Sequence, residues 1–323
     1  MVVDEAPQSD GTSAAGRGTP AAPDPAAEIV SLAARLLRLQ SRLGADPHAG
    51  HATARHGSAQ QAAIRSGVEV LRGFAVSLVG EIQESIERDA FHYLYQPIAS
   101  VPTGAIAGYE ALLRWQRGQE EVGPALFLPI AEAAGLLPRI QQRLLGGVAM
   151  LLARLGPGVM IGIDWSVAQL LDADAVTATI QWAAELGLDA ARVIIEVNDR
   201  AGPSAPEPIR SGLGRLRKAG FRLALDGFGS GHGGLAYLSR LPADLIKIDG
   251  SLISALDGSA RAALIVGGII DLAHRLGHRV IAQGVDTVQQ LAALAALGCD
   301  LAQGDSIGKP TRDPLAPAPR HAG

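Results

Sequence analysis

Along the second half of the chain, short apolar runs end one after another in a polar side chain. The runs 161–164, 193–196, 223–226, 246–249, 280–283 and 301–303 close on Asp164, Glu196, Asp226, Asp249, Gln283 and Gln303. Two earlier runs, 93–98 and 105–112, bring the expected strands to eight, each brief and bounded by Gly, Pro or polar residues. Between most of them lie Ala/Leu-rich segments with helical spacing, at 140–155, 173–186, 208–219, 260–276 and 287–297. Strands alternating with helices over about 230 residues predict an α/β fold of the (β/α)8, TIM-like kind, with the working groups at the C-terminal ends of the strands. The first two strands are joined only by the turn 102–104, too short for a parallel crossover, so that pair is expected to be antiparallel.

Upstream of the barrel the pattern changes. Residues 1–25 are rich in Pro, Ala, Gly and Ser and are expected to be disordered. A helical extension is expected over 26–88, with one amphipathic helix at 26–43 and a second at 58–88. The second places Ile64, Val68, Leu71, Ala75, Leu78 and Ile82 at alternating steps of four and three, an apolar seam. Such a seam suits a dimerising or signal-transmitting coiled coil, and it equally suits a helix on the barrel's outer wall, since Gly67, Gly73 and Gly80 weaken an isolated helix. The barrel is expected over 89–311 and a flexible tail over 312–323.

Composition narrows the function. A hydrophobic share of 48% is ample for a large core, and 28 basic against 32 acidic residues leave a formal charge of -4. That balance disfavours a role on DNA or on a membrane surface. No stretch has the length and apolarity of a membrane span, and the acidic, Pro-rich start is unlike a signal peptide, so a cytoplasmic location is expected. Cys299 is the sole cysteine, which excludes an intramolecular disulfide.

The candidate chemistry lies at the strand ends. Glu110, Asp164, Glu196 and Asp226 form an all-oxygen set of the kind that holds a hard cation such as Mg²⁺ or Mn²⁺. One such acid is readily a helix cap or half of an ion pair; four in one mouth favour a site. Arg114, four residues after Glu110, offers a rigid fork for phosphate oxygens, or a salt bridge to a neighbouring acid such as Glu110. Lys247 is one of only three lysines. His48, His51 and His56, and His232 within the five-glycine segment 227–234, are read as solvated rather than metal-binding. Trp115 is read as packing.

The runs YQPI, EALLRW, FLPIAE, LDGFGSG, LPADLIKID, IAQGVD and GCDLAQG, in that order over 91–310, resemble the motif series of the EAL-domain phosphodiesterases, which hydrolyse cyclic di-GMP. The resemblance implies that Glu110, Asp164, Glu196 and Asp226 are metal ligands, with Asn in the family where this chain has Asp164. It implies that Gln96, Glu110, Leu112, Arg114, Asp164, Asp226, Lys247, Asp286 and Gln303 line the ligand pocket, and that Lys247 and the position of Gln283 are catalytic. Two departures bear on catalysis. The family's second consecutive aspartate, a ligand of the second metal, is here Gly227; its glutamate in the AQGV run, a ligand and candidate general base, is here Gln283. Asp199 and Asp286 shorten two further glutamates. The expectation is a degenerate site with one metal at most, in a protein that binds cyclic di-GMP or a protein partner without efficient hydrolysis. The alternatives are a slow metal-dependent phosphodiesterase yielding linear pGpG, and a ligand-free scaffold. Homodimerisation through 58–88 or 227–234 is a further expectation.

Overall fold

The computed structural model describes residues 59–198, 207–230, 241 and 243–315, together with Ala33 and Arg35. Nine strands form one sheet: β1 (Phe91–Ser100), β2 (Ile106–Arg117), β3 (Glu120–Val122), β4 (Met160–Trp165), β5 (Val193–Asn198), β6 (Arg222–Phe228), β7 (Leu245–Ile248), β8 (Arg279–Ala282) and β9 (Leu301–Gln303). The order β1-β9-β8-β7-β6-β5-β4-β2 is closed into a ring by pairing of β1 with β2, and β3 hangs on the edge of β2. From β2 through β4 to β9 every neighbour is parallel, whereas β1 runs antiparallel to both β2 and β9. The barrel with an inverted first strand is therefore present. β2 runs on to Arg117, five residues past the expected end at Leu112, because Leu113 and Trp115 continue the alternation and pair with β1 and β3.

Period two along each strand builds the interior in layers. Ile98, Met160, Ile194, Ala224, Leu245, Ile281 and Leu301 pack together as an apolar plug. Two residues nearer the mouth on these strands stand Gln96, Gly162, Glu196, Asp226, Lys247, Gln283 and Gln303. The site is thus the next layer of the barrel, resting on a dry floor.

Outside, the helix Ala59–Glu87 (α1) lays the second half of its seam on the barrel. Ala75, Leu78, Ile82 and Ile86 are buried in one cluster with Trp115, Phe127 and Ile130, so from Ala75 onward the seam covers the barrel wall. Arg117 anchors it at Glu81, 2.7 Å away. Before that point Val68, Val70 and Phe74 are exposed. Helices Pro124–Ala133 (α2) and Leu137–Arg154 (α3) cover the same side. α2 was absent from the sequence expectation, since Pro129 interrupts its pattern.

Candidate functional site

Lys247 stands at the centre of the polar layer with no exposed surface. Its Nζ donates to Glu110 Oε2 at 2.7 Å and to Glu196 Oε2, and lies 3.6 Å from Asp226 Oδ1. Burial alone would drive the ammonium to release its proton, but Glu196, Glu110, Asp226 and Asp164 outweigh it and hold the Lys247 pKa well above the usual lysine range. For Glu110 burial likewise opposes charge, and Lys247, the Gln303 amide and Arg114 overcome it, so its pKa falls below the ordinary value. Glu196 goes the other way: complete burial, with Glu110, Asp164 and Asp226 adding like charge, raises it despite Lys247.

Glu110, Asp164 and Glu196 each bring a carboxylate oxygen within 4.8 Å of the others. Asp164 reaches solvent at the rim, yet the protein packed around it and the charges of Glu110 and Asp226 push its pKa up to about 7, against the pull of Lys247. Glu196 Oε1 is buried and has no hydrogen-bond partner among the described residues. A buried, orphaned oxygen inside a set of carboxylates fits a hard cation. Gly162 makes the arrangement possible: a Cβ there would overlap Glu196 Oε1 and stand 2.9 Å from its Cδ.

Above this cluster a cavity of about 270 Å³ is lined by Gln96, Glu110, Leu112, Gln283, Asp286 and Gln303, among others. Gln303 Nε2 donates to Glu110 Oε2 at 2.6 Å and to Gln96 Oε1 at 3.0 Å, and Gln96 Nε2 reaches the Gly308 carbonyl at 3.4 Å. Gln283 Nε2 donates to Asp226 Oδ1 at 2.8 Å. Asp286 accepts from the Asp305 backbone N–H at 3.0 Å, while its own N–H donates to Gln290 of the Thr287/Gln290 capping box. Gly227 follows Asp226 with φ 74°, in the left-handed region.

Five of the expected pocket residues, together with Gln283 from the expected catalytic positions, thus share one cavity. Arg114 does not line this cavity: its guanidinium lies 3.8 Å from Glu121 of β3 and donates to the Leu113 carbonyl at 2.8 Å, so the neighbouring acid it meets is Glu121 of the hairpin strand. Lys247 points into the acids rather than into the cavity. Trp115 is fully buried, as expected, and Cys299 is a buried thiol. Asp199, His48, His51, His56 and His232 lie outside the described residues.

A second cavity, about 240 Å³ and largely apolar, was not foreseen. It reaches Asp164, Glu196 and Asp226 from the side of Tyr93, Leu113 and Leu128. β2 and β4 pair only as far as Ala111 and Ile163, and beyond them β2 follows β1 and β3, opening this cleft.

Among the described residues no helix is long and apolar enough to cross a membrane. Comparison with known proteins agrees with the geometry. The family model described as "EAL domain" matches residues 79–310. The cyclic di-GMP phosphodiesterase NbdA of Pseudomonas aeruginosa is 33% identical over 241 residues, 73% of this chain and 30% of NbdA. The chain spans less than half the length of the curated relatives it matches. Among solved structures, the MucR phosphodiesterase in its c-di-GMP complex superposes with a TM-score of 0.66 at 31% identity, covering 73% of this chain and 97% of that one. The FimX EAL domain from Pseudomonas aeruginosa, bound to c-di-GMP, gives 0.67 at 25% identity over the same shares. With its closed mixed barrel, inverted first strand and strand-end carboxylates, the chain belongs to the EAL domain family.

Proposed function

We propose that this barrel is a cyclic di-GMP-binding signalling module in which hydrolysis is severely slowed. The observation that carries the reading is the mouth cavity in which Gln96, Glu110, Leu112, Gln283, Asp286 and Gln303 meet. Amides and carboxylates converging there suit nucleobase edges and ribose hydroxyls, and Leu112 supplies an apolar contact. The slowed step is inferred from two positions. Gly227 has no side chain to hold a second ion, and the Gln283 amide, donating to Asp226, cannot take a proton from an attacking water. Loss of a general base alone costs roughly 10²- to 10⁴-fold. Calorimetric titration with cyclic di-GMP in EDTA tests the binding. Saturable heat is the expected result; no heat at high micromolar ligand leaves only the scaffold.

The orphaned Glu196 Oε1 favours a second reading, a slow phosphodiesterase with one Mg²⁺ or Mn²⁺ held by Glu110, Asp164 and Glu196, with Asp226 adjoining. The ion would activate water and offset charge on the phosphoryl oxygens. In that reading the chain's own groups bind and orient the diester: Gln303 and Gln96 fix the ligand edge. Chromatography for linear pGpG after long incubation with Mn²⁺, with Glu110→Ala as control, separates the two readings. Either reading places the protein in the cytoplasm. Signal output would pass through segment 227–234 or α1 to a protein partner or a second copy.

A further inference from the structure

We propose that Lys247 is the barrel's resident cation, competing with a divalent ion for the same two carboxylates, so that metal enters only as the lysine's ion pairs are given up. The inference rests on reading the acid cluster as a cation site. Glu110 and Glu196 belong both to the three-acid set that fits an ion and to the pair that accepts hydrogen bonds from Nζ. The ammonium has no exposed surface and lies 3.6 Å from a third acid, Asp226. It therefore offsets, from within the fold, part of the repulsion among four neighbouring acids.

The amides extend the same arrangement. Gln303 donates to Glu110 and Gln283 donates to Asp226, each placing an N–H against a carboxylate oxygen that a cation would use. A glutamate at 283 would have added charge and called for a second ion; the glutamine instead occupies Asp226. Among the described residues only Glu196 Oε1 remains a buried, unpartnered oxygen of the cluster. Two cations drawn to shared ligands weaken each other reciprocally, whichever binds first.

Manganese alone, without nucleotide, is the probe, read by electron paramagnetic resonance of free Mn²⁺ and by thermal melting of the full chain. Wild-type protein is expected to bind Mn²⁺ weakly and to melt at the same temperature with or without EDTA. Lys247→Met is expected to bind Mn²⁺ about tenfold more tightly or better, the size of an ordinary site-to-site coupling. It should also melt lower in EDTA and recover when Mn²⁺ is added. A folded Lys247→Met that binds Mn²⁺ no more tightly than wild type, or an absence of binding in both, overturns the proposal. Should Lys247→Met not fold in EDTA, Lys247→Met/Glu196→Gln, which removes one charge of each sign, is expected to melt above the single variant and to lose the Mn²⁺ gain. Equal instability of the single and double variants would overturn it. Because no nucleotide is present, the outcome is independent of the cyclic di-GMP titration, and failure of one is distinguishable from failure of the other.

Discussion

Gly162 governs where the Glu196 carboxylate lies, because any side chain on that face of β4 meets it. Gly162→Ala is expected to lower stability by about 1–3 kcal/mol, the usual range for overpacking a close-fitted interior. Denaturant unfolding measures it, and an unchanged midpoint would mean that Glu196 has room to turn aside. The signal was present in the sequence as a glycine inside a strand, which marks close approach, but the group approaching comes from a different strand. Lys247 shows the same limit. Its face follows from counting two residues on from Leu245, yet its partners are 137 and 51 residues away, and only ring closure brings them opposite. At positions 227 and 283 the proposed slowing of hydrolysis rests on residue identity, which the sequence carries directly. Gly227→Asp with Gln283→Glu is expected to raise pGpG formation in Mn²⁺ at least about a hundredfold, the lower end for a restored general base. Because Gly227 has φ 74°, the aspartate carries a backbone penalty of roughly 1 kcal/mol, tolerable for this residue type. An unchanged rate in the folded double variant would overturn the proposal that these two positions slow hydrolysis.

The strands were legible because each is short, apolar and stopped by a polar residue at the mouth. What the pattern did not convey was how far β2 runs. Its extension to Arg117 creates the hairpin with β3, and that hairpin places Glu121 beside Arg114 and His92. The Glu121 carboxyl is held below its usual range chiefly by the His92 hydrogen bond, with Arg312 contributing, so it is charged at neutral pH. Glu121→Gln should therefore loosen Arg114 and tighten cyclic di-GMP by at most about fivefold, since partly exposed ion pairs are worth about 1 kcal/mol or less. Calorimetry checks this, and a large loss of affinity would show that Glu121 aims the guanidinium instead of restraining it. The seam of α1 was legible as apolar spacing, but spacing does not specify whether the covering surface is a second helix or the barrel wall.

For the whole molecule, burial of weak acids sets an alkaline limit. Burial pushes the Cys299 thiol from 9.0 to about 11 and the Tyr95 phenol from 10.0 to about 12, and it raises Tyr93 further. Their protonated forms are favoured in the folded state. The stability they contribute is complete below about pH 9 and is lost as pH rises through 11 to 12. Melting temperature is expected to hold to about pH 9 and to fall steeply above it. A flat profile to pH 12 would mean that these groups ionise without unfolding.

The ring closes at its narrowest strand. β9 is held to β8 by two residue pairs and to β1 by three, whereas β1 and β2 share nine. The barrel is therefore a hoop with one weak stave, and that stave carries Gln303, which reaches across the joint to Gln96 on β1. A molecule seated against both glutamines would act as a clasp, tying local breathing of the wall to occupancy of the mouth.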